Sequence, residues 1–365
     1  MNSHLATSPI FVVGYMHSGT TLLQNILKAE PTIFASQGET RFFDYLPLIQ
    51  RKFPNLQDEQ TLRNFVVHVA KLVQTNYGTV NVPAKLGNRK TLEDFGLTQA
   101  VIDELLVAAA QLRDHARIFP LVYDRLTAAA GKTRWLEKTP DHLFHIEAIL
   151  RVAPTARFVE LVRDPRDILA SKRSRHTKEW TNRFADEENH FTSLSTGFDP
   201  CWDTLAWKSA IRAVDQAKAQ HPESILRVRY EDLVSDPVTV VQRICAFLGI
   251  TYRDAMLDVG WINTTTQAVQ GSRGISAAST GKWKQQLTPE MVALCQLLAK
   301  RELQAMHYNF TTVTLATRLK MPLLIGRSGM EFFERLARRW RMGGFDYVRN
   351  VLNKYWIRLD NVSRG

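Results

Sequence analysis

The sequence predicts an α/β protein in which βα units surround a central parallel sheet, and three observations carry that prediction. Short apolar runs rich in β-branched and aromatic residues, Ile10–Val13, Phe158–Val162 and Ile225–Tyr230, alternate with longer amphipathic segments. Four pairs, Thr139-Pro140, Asp164-Pro165, Asp236-Pro237 and Thr288-Pro289, place an N-cap oxygen before a proline, whose missing N–H costs nothing in a first helical turn. With 45% apolar and 23% charged side chains, 365 residues suffice to bury a large core, which excludes disorder as the main theme.

The first strand, Ile10–Val13, runs into Gly14-Tyr15-Met16-His17-Ser18-Gly19-Thr20-Thr21 and then into the helical stretch Leu22-Leu23-Gln24-Asn25-Ile26-Leu27. Strand, glycine-bounded loop and helix form a phosphate-binding arrangement, because backbone N–H groups and the positive helix end converge on an anion. The two glycines fit the frame of an ATP-binding P-loop, but Thr20 stands where its lysine belongs, which weakens the ATP reading. Hydroxyls at Ser18, Thr20 and Thr21, with a cationic donor at His17, suit a nucleotide carrying a different 5′ group. A plain strand-turn-helix corner with hydroxyl caps is the bland alternative.

Between residues 65 and 131 the pattern is helical with no strand, as in an insertion or lid over the sheet. A strand over Arg134–Lys138 follows, and then a helix over Asp141–Ile149. In that helix His142 and His145 share a face with Glu137 nearby; a solvated face is favoured there over a metal site. The next strand ends at Arg163, at the carboxyl edge of the sheet where ligands bind in open α/β folds, and Ser171 follows about two helical turns later. Arginine offers a planar fork to a phosphate and serine a hydroxyl, so two phosphate sites emerge and suggest a nucleotide phosphorylated at two places. The run Lys172-Arg173-Ser174-Arg175-His176 reads as solvent-facing.

At this point the chain resembles the sulfotransferases that use 3′-phosphoadenosine 5′-phosphosulfate (PAPS). Gly14 to Leu23 is similar to the family's 5′-phosphosulfate loop, and Arg163-Asp164-Pro165-Arg166-Asp167-Ile168-Leu169-Ala170-Ser171 to its 3′-phosphate motif. Val228 to Leu233 resembles a segment whose tyrosine, here Tyr230, lies near the adenine. Gly281-Lys282-Trp283-Lys284 looks like the C-terminal loop over the cofactor, and Arg273 is a further candidate on the 3′-phosphate. Gly38 to Phe43 and Trp135 to Pro140 resemble the glutamate-base branch, which includes tyrosylprotein and carbohydrate sulfotransferases.

The resemblance implies a P-loop NTPase-like three-layer α/β/α fold and transfer of a sulfuryl group to a hydroxyl of a glycan, small metabolite, lipid-linked sugar or tyrosine. It also implies that Glu39 is the base, that Lys138 and His17 stabilise transferring and leaving oxygens, and that no metal is needed. The cofactor-binding set is then His17, Ser18, Gly19, Thr20, Thr21, Arg163, Ser171, Tyr230, Arg273 and Lys282. His17 departs from the lysine or arginine usual in the family. The competing readings are a P-loop kinase using ATP and magnesium, and an inactive nucleotide-binding scaffold.

Residues 1–312 are expected to form the sulfotransferase domain and 313–365 a basic tail of two amphipathic helices hinged at Gly343-Gly344. The tail holds eleven Lys and Arg against four Asp and Glu, a net of +7 within a formal +11 for the chain. An anionic membrane, an acidic partner and the chain's own body are its three candidate contacts, the last being favoured. Nucleic acid is not expected as a partner, and oligomeric state is not legible. Three well-separated cysteines, Cys201, Cys245 and Cys295, suggest neither a disulfide framework nor a zinc site, and with no signal-like N-terminus a cytoplasmic location is expected.

Overall fold

The computed structural model describes residues 8–36, 38–74, 98–182, 198–260 and 274–363, without the side chains of 176–182, 335, 338–339, 342–351 and 353–363. Five strands, β1 (Ile10–Val13), β2 (Ile33–Ala35), β3 (Arg134–Lys138), β4 (Arg157–Val162) and β5 (Ile225–Arg229), form one sheet in the order β2-β3-β1-β4-β5. The pairs β1–β3, β1–β4 and β2–β3 are parallel, with Ile10 level with Leu136 and Arg157. The chain runs from β3 to β4 across β1, so the strand order reverses beside β1 and its glycine loop leaves the sheet at a topological switch point.

Helices follow in chain order: α1 (Thr20–Lys28), α2 (Phe42–Lys52), α3 (Glu59–Gln74), α4 (Gln99–Leu112), α5 (His115–Ala129), α6 (Ile146–Val152), α7 (Pro165–Asn182) and α8 (Pro200–Gln220). After β5 come α9 (Tyr230–Ser235), α10 (Pro237–Leu248), α11 (Trp283–Gln286), α12 (Pro289–Leu298), α13 (Lys300–Ala305) and α14 (Leu315–Ser363). The chain divides into two compact units, Met1–Leu161 with Ala217–Ile262 and Val269–Ile275, and Val162–Gln216 with Asn263–Ala268 and Ser276–Gly365.

In the first unit the pleat of β1 sorts its side chains to two faces. Ile10 and Val12 join Leu23 and Ile26 of α1, Leu233 of α9 and Ile244 of α10 in an aliphatic core. Phe11 turns the other way, stacking on Phe158 at 5.1 Å and meeting Trp135 edge-on at 5.3 Å, while Trp135 stacks on Tyr123 of α5 at 4.3 Å. Helices therefore cover both faces, as buried parallel strands require. In the second unit Arg166 lies over the Trp283 ring at 4.2 Å and donates to Gln296 of α12, tying α7 to the C-terminal helices.

Several sequence expectations change. The short strand β2 was not foreseen. Tyr230 opens α9 instead of ending a strand, and the expected 141–149 helix is a 3-10 turn over Pro140–His145 followed by α6. The tail is one helix, α14, that continues through Gly343-Gly344. The expected Pro starts hold at Pro140, Pro165, Pro237 and Pro289, and two of the preceding residues cap their helices, Asp164 by accepting from the Arg166 N–H at 2.9 Å and Asp236 from the Thr239 N–H at 3.3 Å.

Candidate active site

In the first unit the chain leaves β1 at Gly14, whose N–H donates to the Pro140 carbonyl at 3.3 Å and so ties the glycine loop to the turn after β3. A Cβ at Gly14 would meet the Leu161 carbonyl at 2.4 Å, and one at Gly19, where φ is +93°, would meet the Tyr230 ring at 2.6 Å. Glycine is required at both positions because the backbone passes so close to its neighbours. Gly19 caps α1 and offers no side chain to its first N–H groups, which leaves those donors to another acceptor. Ser18 is fully buried and its Oγ has no partner, which is the donor left over that an anion in this loop would take.

Thr20 is buried, Thr21 is exposed and His17 is half-buried. His17 adopts φ +65°, a left-handed conformation that a non-glycine residue rarely takes. Tyr230 is buried in the aliphatic core with its ring edge against Gly19, so it supports the loop from beneath.

Lys138, at the end of β3 and 6% exposed, donates from Nζ to Glu39 Oε1 at 2.9 Å. Arg41 holds the other Glu39 oxygen at 3.0 Å. Burial pushes the Glu39 carboxyl up, but the two cations outweigh it and its pKa is lowered, so the group is a carboxylate at neutral pH.

Beneath this pair lies a buried cluster. Glu137, wholly inaccessible, accepts at Oε1 from the hydroxyls of Thr40 and Thr139 at 2.9 and 2.5 Å, and at Oε2 bonds His142 Nδ1 at 2.9 Å. The Arg41 N–H donates to Thr139 Oγ1 at 3.2 Å. One buried Glu137 side chain thus fixes Thr40, next to Glu39, and Thr139, next to Lys138, and thereby the positions of both candidate residues. Burial would lower the His142 pKa, but Glu137 outweighs it and holds the value above the ordinary histidine one.

The expected solvated face at His142 and His145 is therefore corrected: His142 is 0% exposed and paired with Glu137, and His145 bonds Asp44 at 3.1 Å. Among the described residues no group of three or more metal-ligating side chains occurs.

In the second unit, Arg163, Ser171 and Lys282 line one pocket with Asp167, Ser174, Ser279 and Gln286. Three of the expected cofactor residues are thus brought together. Trp207 Nε1 donates to the Arg163 carbonyl at 3.1 Å, and the Arg163 guanidinium donates to the Ser279 carbonyl. Asp167 accepts from the N–H groups of Gly281 at 2.7 Å and Trp283 at 3.0 Å, which clamps the Lys282 loop onto α7. Burial raises the Asp167 pKa, and its oxygens are engaged by backbone donors, which reduces its repulsion of an anion in this pocket. Sequence reasoning missed Asp167 as well as Glu137; its only signal was its place inside the Arg163 to Ser171 motif.

Lys172 is buried and paired with Asp203, not solvent-facing as the charge run suggested. Arg273 lies outside the described residues. All three cysteines are free, and burial pushes the Cys245 and Cys295 thiols up to about 11 and about 12.

A parallel sheet with a glycine loop at its switch point, a Glu-Lys pair on the neighbouring strand's end and a basic pocket in the second unit define an α/β protein of P-loop-like architecture. More particularly, the chain belongs to the sulfotransferase family, whose profile matches residues 9–254. It is 27% identical over 265 residues to an omega-hydroxy-beta-dihydromenaquinone-9 sulfotransferase of Mycobacterium bovis, an alignment covering 67% of this chain and 64% of that protein. It is 26% identical over 247 residues to the nodulation protein NoeE of Sinorhizobium fredii, covering 66% and 49% respectively. Among solved structures it is similar to the sulfotransferase domain from the curacin biosynthetic pathway, with a TM-score of 0.47, 16% identity, and 83% and 99% of the two chains covered.

Proposed function

We propose that this chain transfers a sulfuryl group from PAPS to a hydroxyl acceptor. The observation that carries the reading is Glu39, an ionised carboxylate held at 2.9 Å from a nearly buried lysine at the end of the strand next to the glycine loop. PAPS, when bound, supplies the activated sulfuryl group and a phosphate as its leaving group. The chain's own groups then have separable tasks.

Glu39 accepts the acceptor's proton as attack proceeds. Lys138 and His17 offer donors to the oxygens on which charge accumulates. The loop N–H groups, Ser18 and the start of α1 with Thr20 and Thr21 hold the 5′ end, while Arg163, Ser171 and Lys282 take the 3′-phosphate. Tyr230 keeps the loop in place beneath Gly19 and is the candidate neighbour of the adenine.

The reading is tested by thermal-shift titration with adenosine 3′,5′-bisphosphate against ATP plus magnesium, since a ligand that binds only the folded state raises its melting temperature. The bisphosphate is expected to stabilise the protein and ATP is not. Stabilisation by ATP with magnesium alone would instead support a kinase.

A further inference from the structure

Helix α14 spans 49 residues, about 74 Å at 1.5 Å per residue, and its two faces differ in what covers them. Thr317, Met321 and Ser328, spaced four and seven apart, are buried, and Met321 with Leu324 packs on Ala293 and Leu294 of α12. Leu315, Leu319, Leu323, Met330, Phe333 and Trp340 are each between 54% and 76% exposed. At about 100° per residue these six fall within an arc of roughly 100° on the side opposite the packed face, along about 38 Å of helix. Exposed Arg318 borders one edge of the arc, and exposed Lys320, Arg327 and Arg341 the other. The acids Glu331 and Glu334 lie on that second edge, where Glu331 pairs with Arg327 at 2.9 Å.

We propose that this stripe is a docking surface for an anionic lipid membrane, with α14 lying in the plane of the interface. Charge selects this occupant. Residues 313–365 carry a net +7, so a second copy of the tail would set like charge against like, whereas an acidic lipid surface complements it. The chain's own second unit already covers the opposite face. Among the described residues no helix is long and apolar enough to cross a bilayer, while an apolar stripe with aromatic residues and basic borders suits an interfacial helix. The expectation that the tail packs back on the body holds for one face of its first turns among the described residues.

The test is flotation of the full chain with phosphatidylcholine vesicles and with vesicles of phosphatidylcholine mixed with phosphatidylglycerol. Binding to the mixed vesicles is expected to exceed binding to the neutral ones by about tenfold and to weaken as salt is raised. The double variant L319S/F333S and, separately, R318E/R341E are expected to lose most of that binding at an unchanged melting temperature. Equal binding to both vesicle types, no binding to either, or full binding by both variants overturns the proposal. So does a concentration-dependent dimer that L319S/F333S abolishes, which would assign the stripe to a second copy.

Discussion

The candidate site residues of the two units handle charge differently. In the first, the basic groups at the candidate site are engaged by carboxylates: Lys138 and Arg41 by Glu39, and His142 by Glu137. In the second, Arg163 is anchored through carbonyl and indole hydrogen bonds, and the nearby Asp167 is engaged by two backbone N–H groups. Cations beside a carboxylate keep it ionised and so available as a proton acceptor at neutral pH, whereas a basic pocket whose acid is occupied can hold a fixed anion. Under the proposed function, proton handling falls to the first unit and recognition of a second phosphate to the other.

The comparison breaks most readily at Glu39. Glu39→Gln keeps the shape and loses the base, so kcat is expected to fall by about 10²–10⁴-fold in steady-state assays of sulfuryl transfer. A loss below tenfold would remove Glu39 from proton transfer.

Next in size is the cluster beneath the pair. Glu137→Ala leaves a buried His142 without its counter-ion and is expected to cost about 3–5 kcal/mol in chemical unfolding, because breaking a buried pair strands a charge. An unchanged unfolding midpoint would mean that this cluster does not hold the two loops.

Gly19→Ala combines an unfavourable φ with crowding against the Tyr230 ring and is expected to cost about 1–3 kcal/mol, shared between folding and nucleotide affinity. Tyr230→Leu in the same chain should relieve only the crowding part. Equal affinity in all three proteins would show the loop to be more pliant than this geometry allows.

The smallest effect sharpens the electrostatics. Because the Glu39 pKa is lowered, its ion pairs contribute stability that is present above the unfolded-state value of about 4.5 and lost as pH falls through the folded value. Activity should share that acid limb. Lys138→Met removes one attraction and leaves the burial, so the limb is expected to move to higher pH. A limb that stays in place would show that Arg41 alone sets the charge.

The loop, the Arg163 to Ser171 motif and the strand ending in Lys138 were legible because each is local: a glycine spacing, a helical offset, an apolar run. Glu137 and His142 were not, since nothing in a five-residue spacing tells that both lie beneath aromatic side chains. Their exposure is decided by Phe11 and Phe43, whose rings lie 6.2 and 5.4 Å from that of His142. The clamp by Asp167 was hidden for the same reason, its partners lying more than a hundred residues along the chain. Gly343-Gly344 looked like a hinge because glycine weakens a helix by about 1 kcal/mol per residue, yet α14 continues through both glycines.

The division of labour between the two units is tested most directly by calorimetric titration of adenosine 3′,5′-bisphosphate into the parent protein, Glu39→Gln and Arg163→Ala, with turnover measured on the same preparations. Arg163→Ala is expected to weaken binding by about 10- to 100-fold, the worth of hydrogen bonds to a charged group, while keeping kcat at saturation. Glu39→Gln is expected to bind like the parent and fail to turn over. Nucleotide binding weakened equally by both changes, or untouched by Arg163→Ala, would contradict the account.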